Sequence, residues 1–236
     1  MNRRSFLFAS SGAAAGSLLV SGIAAGQDGD EAPNGESGLA TGVAKPLKYS
    51  DVPGFLSAAQ IEPHHTSHYG GALRAFVGVE DKFEDAYSSG ATIDRAAFER
   101  MKQIQSSRGN SVILHELYFD GLTGMQTVAD LEISRAIAKR FGSVDRWSSD
   151  FAASAKSAAG WAMLVVHPLN GRLYNVVSDE HAQGPLWMAV PLVVIDTYEH
   201  AFYIDYKNQK AEYVDKFLHF IDWSEADRRF RQVAKM

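Results

Sequence analysis

The 236-residue chain contains no cysteine. It therefore has no disulfide framework, no thiolate nucleophile, and no zinc or iron–sulfur site built on sulfur. Any metal must be held by imidazole and carboxylate. An excess of positive charge is also missing, since 23 Lys and Arg face 28 Asp and Glu for a formal net charge of -5. A general nucleic-acid binder shows a basic face, so no nucleic-acid partner is expected. A local basic funnel toward an anionic substrate is not excluded. The third absence is a long, strongly apolar run. The stretch from Ala9 to Ala25 is rich in Gly, Ala and Ser, whereas a stable membrane span wants about 20 strongly apolar residues.

What is present suits a soluble globular chain: 46% apolar and 22% charged residues. A chain of this length buries roughly 70% of its unfolded surface and needs no covalent staples. Arg3-Arg4 followed by Ser5-Phe6-Leu7 has the form of a twin-arginine export signal. Ala24, Ala25 and Gly26 offer a cleavage site. Residues 1–26 are thus expected to be a signal peptide, leaving a periplasmic or secreted protein with no membrane segment after cleavage. Residues 27–50 begin QDGDEAPNGESG, rich in Gly, Pro and acid, and are expected to form a flexible linker.

The remainder divides by periodicity. Residues 51–125 predict a helical hairpin: one helix from Ser57 to about Tyr87, a break at Ser89-Gly90, and a second from about Thr92. Arg108-Gly109-Asn110 is expected to interrupt the second helix before SVILHELYFDGL resumes it. Residues 126–236 predict an α/β domain with helices at 129–141 and 143–158. Apolar runs at 161–168, 172–178 and 190–196 follow, with a hairpin turn at Leu169-Asn170-Gly171. A final helix or two covers about 201–235. The expected fold class is α+β: an N-terminal helical hairpin, then a small three-stranded antiparallel sheet with flanking helices.

Histidine is where chemistry can gather. His64 and His68 stand four apart on one helix face, His115 sits among Val112, Ile113, Leu117 and Phe119, and His200 follows Asp196 by four residues. Singly, each is as consistent with a core residue, a surface pair or a turn. Together, three imidazoles and a carboxylate suit manganese or iron at least as well as zinc, which ligand type alone does not exclude.

The run IDTYEHAFYIDYKNQKAEYVDKFLHFIDW at 195–223 closely resembles the C-terminal signature of iron/manganese superoxide dismutases. HHTSHYGG at 64–71 and LHELYFDGL at 114–122 resemble the family's two helical motifs, in the same order. The resemblance implies one iron or manganese ion per subunit, held by His64, His115, Asp196 and His200, acting on superoxide. It places His181 as the donor to metal-bound solvent, with Trp161 walling it, and Ser111 at an alternative donor position too short for the role. Glu199 and Tyr203 match residues that cross the family's dimer interface, Glu199 to the partner's His200 and Tyr203 to the partner's His68. A homodimer is therefore implied.

There are departures from the family's pattern. Ala72 stands where the family has a tyrosine that gates the substrate funnel and joins proton delivery. Tyr69 is near in sequence but rotated from His64 around the helix. Tyr198 and Phe119 replace tryptophans, and Met163 replaces an aromatic. Ala72 admits an alternative: a dismutase-like metal-binding protein with little or no turnover.

Overall fold

The computed structural model describes residues 35–124, 130–184 and 186–234. The expected signal peptide lies outside them. Among the described residues no helix is long and apolar enough to cross a membrane.

Ser57 opens the first long helical run, its side chain accepting from the Gln60 N–H as an N-cap. Helix α2 (Ala58–Pro63) passes into a π-helical turn (His64–Tyr69) and then α3 (Gly70–Ser89). Pro63 has no N–H to donate to the carbonyl four residues back, and the wider π turn follows it immediately. Both His64 and Tyr69 end up buried, while His68 is exposed. Asp94 caps α4 (Arg95–Asp120) by accepting from the Ala97 N–H. Against expectation, α4 runs unbroken through Gly109. A Cβ at Gly109 would lie 3.1 Å from Cε2 of Phe76 on α3, so this glycine serves close helix–helix approach instead of a break.

Two shorter helices, α5 (Glu132–Phe141) and α6 (Val144–Ser157), lead to the sheet. Strands β1 (Trp161–His167), β2 (Arg172–Ser178) and β3 (Val190–Asp196) form an antiparallel sheet in the order β2-β1-β3. Central β1 is buried almost throughout, as its continuous apolar run requires. Gly171, with φ of 63°, closes the β1–β2 turn. The chain ends in a 3-10 turn (Glu199–Ala201), α7 (Tyr203–Tyr206), α8 (Lys210–Phe217) and α9 (Trp223–Ala234). The observed class is therefore α+β with a three-stranded sheet, as expected.

Helix α9 ties the two halves together. Its Arg229, 5% exposed, pairs with Glu225 and donates to the carbonyls of Leu192 on β3 and Leu117 on α4.

The expectation of a flexible linker to residue 50 fails for residues 35–50, which are held as a strap across the hairpin. A short helix α1 (Gly38–Thr41) begins where the Gly38 N–H donates to Oε1 of buried Glu116 at 2.8 Å. The Lys45 N–H donates to the Tyr69 hydroxyl at 2.7 Å, and that hydroxyl donates to the same Glu116 oxygen at 2.9 Å. Lys45 also pairs with Asp120, and Lys48 with Asp222. Composition reads this segment as polar and unpatterned; what holds it is a set of single polar partners in the π turn, on α4 and just before α9. A Cβ at Gly38 would meet the Tyr69 hydroxyl at 2.7 Å, so the strap's contact point admits only glycine without a shift.

Glu116→Ala should lower unfolding stability by roughly 2–4 kcal/mol, because two buried donors lose their acceptor. Urea denaturation of the metal-loaded protein measures this, and a loss under about 0.5 kcal/mol would mean the strap is not anchored there.

Candidate metal centre

Four side chains from four places in the chain meet between the hairpin and the sheet. His64 starts the π turn, His115 faces inward from α4, Asp196 ends β3, and His200 lies in the 3-10 turn. Each offers one ligand atom, and these atoms all lie within 4.8 Å of one another. The Nε2 atoms of His64, His200 and His115 lie 3.1, 3.2 and 3.7 Å from a single oxygen, Oδ2 of Asp196. Asp196 is wholly buried, and His64 and His115 are nearly so.

Protons alone do not satisfy this cluster. His115 donates through Nδ1 to the Ser111 carbonyl at 2.7 Å, which leaves Nε2 as a bare acceptor. That Nε2 is buried and has no hydrogen-bond partner, as is Nδ1 of His64. Burial pushes the His64 and His115 imidazoles toward the neutral form, His115 down to about 3. Burial alone would raise the Asp196 carboxyl. Hydrogen bonds from His200 and His64 overcome it and hold the group ionised, below the usual carboxylate range. A lone pair aimed at an anionic oxygen from 3.7 Å calls for a cation between them. The donor set, three imidazoles and a carboxylate, fits such an ion without a soft ligand.

Outer contacts fix each ligand. The Tyr198 N–H donates to Oδ1 of Asp196 at 2.9 Å, and the Tyr213 hydroxyl donates to its main-chain carbonyl at 2.9 Å. Gln60, fully buried, donates to the His200 carbonyl at 2.7 Å and accepts from the Ile204 N–H. Sequence reasoning missed Gln60, Glu116, Tyr118 and Tyr213. A polar Gln60 inside the apolar face of α2, four residues before His64, was the available signal.

Of the other expected site residues, Trp161, Tyr198, His181 and His68 surround the centre. Trp161 is buried against His115, ring centroids 5.1 Å apart. Its indole N–H donates to Nδ1 of His181 at 2.9 Å, while Asn110 donates to the His181 carbonyl. Burial lowers the His181 pKa, and with Nδ1 accepting, its proton stays on Nε2. His68 stacks on His200 at 3.7 Å and 10°; desolvation, then the neighbouring His200, push it down to about 4. Tyr198 lies near-parallel to His200 at 5.3 Å. Glu199 and Tyr203 stay on the surface of the single chain. Ser111 acts through its carbonyl on His115, a role its side-chain length did not suggest. Ala72 is buried and brings no hydroxyl, and the Tyr69 hydroxyl is committed to Glu116 and Lys45, so it does not stand in.

A helical hairpin and a small antiparallel sheet that jointly enclose three imidazoles and one carboxylate define a mononuclear metal-site protein. Residues 129–229 match the family described as iron/manganese superoxide dismutases, C-terminal domain. The chain is 34% identical over 193 residues to a protein named superoxide dismutase [Fe] of Aquifex pyrophilus, covering 80% of this chain and 90% of that one. It is 31% identical to superoxide dismutase [Mn] 1 of Halobacterium salinarum, over 80% of this chain and 94% of that one. Superoxide dismutase [Fe] of Cupriavidus metallidurans is 34% identical, over 76% of this chain and 91% of its own. The chain belongs to the iron/manganese superoxide dismutase family.

Metal analysis of variants separates ligand from neighbour. His115→Ala and Asp196→Ala should each emerge with their metal content cut at least about ten-fold. His68→Ala should keep a full complement. Equal losses in all three would show that His68 belongs to the ligand set.

Proposed function

We propose that this protein disproportionates superoxide to dioxygen and hydrogen peroxide at one iron or manganese ion held by His64, His115, Asp196 and His200. The observation that carries this reading is the buried, unpartnered Nε2 of His115 converging with two further imidazoles on one Asp196 oxygen. When bound, the ion supplies a one-electron cycle in which one superoxide is oxidised and a second, taking up that electron and two protons, becomes hydrogen peroxide.

The chain's own groups bind, orient and exclude. Asp196 supplies one negative charge to the centre, and its Oδ1 is kept in place by the Tyr198 amide. Trp161, Phe119 and Tyr118 wall the site and keep bulk water away. His181, oriented by Trp161, retains an Nε2 proton for a small oxygen anion or solvent entering the centre. Relatives bearing iron and manganese names match about equally well, so the choice between the two ions is left open.

Ala72 favours a second reading, a dismutase-like metal-binding protein with little turnover, because no hydroxyl takes its place. Superoxide decay after pulse radiolysis, per ion of assayed iron or manganese, decides between them. Rapid decay proportional to metal is expected, and Ala72→Tyr should alter turnover while leaving metal content unchanged. A full metal complement without catalysed decay would sink the dismutase reading.

We further propose export by the twin-arginine route and assembly as a homodimer. Arg3-Arg4 supports the first: Arg3→Lys with Arg4→Lys should strand the protein in the cytoplasm, and undiminished export would refute the route. Exposed Glu199, and Tyr203 and Ile204 at 48% and 44% exposure beside the centre, support the second. Sedimentation should give a dimer that Glu199→Ala weakens; a monomer at micromolar concentration would contradict it.

A further inference from the structure

Around the centre, one residue touches two candidate ligands and the His181 ring, while its hydroxyl bonds to the loop that carries His181. Tyr198 follows Asp196 by two residues and precedes His200 by two. Its amide holds Oδ1 of Asp196, and its ring lies near-parallel to His200 at 5.3 Å and 13°. The same ring sits 5.2 Å from the His181 ring. Its hydroxyl then donates to the main-chain carbonyl of Asp179 at 3.1 Å.

Asp179 roots the loop that carries His181. Its carboxylate accepts from the Ala159 N–H, and its own N–H donates to Gln183 Oε1. The Ser178 hydroxyl lies 2.7 Å from the carbonyls of both Glu180 and Gln183. The loop's internal bonds make it a unit, so a force on Asp179 reaches His181. Among the described residues, the hydrogen bonds from this loop to the walls of the centre include those of the Trp161 indole, the Asn110 amide and the Tyr198 hydroxyl. Trp161 stands against His115 and pairs with Asp196 across the sheet, whereas Tyr198 leads to Asp196 and His200.

We propose that Tyr198 is a positioning residue whose hydroxyl couples the His181 loop to Asp196 and His200, setting how closely His181 approaches the ligand cluster, where its ring lies 6.2 Å from that of His115. The proposal rests on the reading of His181 as the proton-bearing neighbour of that cluster. A ring without the hydroxyl fills the same wall but removes one of the loop's ties, leaving those to Trp161, Asn110 and Ala159.

Tyr198→Phe removes the hydroxyl alone, and Tyr198→Trp keeps an aromatic wall should Phe fold poorly. On the metal-loaded full chain, hydrogen exchange of the amides at 179–183 should accelerate about three- to ten-fold in either variant. The reduction potential of the bound ion should move in the same direction as in His181→Ala, by a smaller amount. Unchanged exchange, or faster exchange with an unmoved potential, overturns the proposal. If His181→Ala itself leaves the potential unmoved, it is the reading of His181 that fails, a result separable from the first because exchange reports on the hydroxyl directly.

Discussion

The carboxylate of Asp196, sunk without exposure among three imidazoles, is the contact on which the rest of the molecule depends. An ionised carboxylate in such a place costs several kcal/mol of lost hydration unless positive charge and hydrogen bonds offset it. The imidazoles of His64 and His200 and the Tyr198 amide are each placed to do so. Two of the imidazoles come from the hairpin and the third from the turn after β3, so the centre can form only when both halves are docked. Binding of a cation at that point is also binding of one half to the other.

That dependence explains the polar groups found where apolar ones would pack more simply. Gln60 reaches from α2 to the His200 carbonyl, Tyr213 from α8 to the Asp196 carbonyl, and Arg229 from α9 to both α4 and β3. None of them offers a ligand atom. Each fixes a main-chain position that a ligand depends on, and a shift of half an ångström in any would spread the four donor atoms. The strap from Gly38 to Lys48 belongs with them. Through Glu116, the neighbour of His115, and Tyr69, five residues after His64, it clamps the two ligand-bearing segments of the hairpin.

Much of this could be read in the sequence, and the gaps have physical causes. Alternation and apolar runs locate the three strands because β1 is buried on both faces and β3 ends at a charged residue. The histidines were legible as a set once three short motifs stood in order. Periodicity failed at Gly109, where a glycine that ordinarily breaks a helix lies so close to Phe76 that a Cβ would require the ring to give way. It failed again at residues 35–50, since a strap held by single hydrogen bonds carries no repeating pattern. The partners of Gln60 and Tyr213 are main-chain carbonyls, which no residue type announces, so the polarity of Gln60 on an apolar face marks the residue but not its contact. The tyrosine pair Tyr118 and Tyr213, bonded hydroxyl to hydroxyl at 3.0 Å, was likewise hidden by a separation of 95 residues.

The account stands or falls on a single ion at Asp196. Anomalous diffraction from crystals of the purified protein, recorded above and below the iron and manganese edges, locates and identifies it in one experiment. The account predicts one peak per chain, of iron or manganese, within bonding distance of Nε2 of His64, His115 and His200 and of Oδ2 of Asp196. A peak elsewhere, a different metal, or an empty centre in protein that is otherwise correctly folded would contradict it.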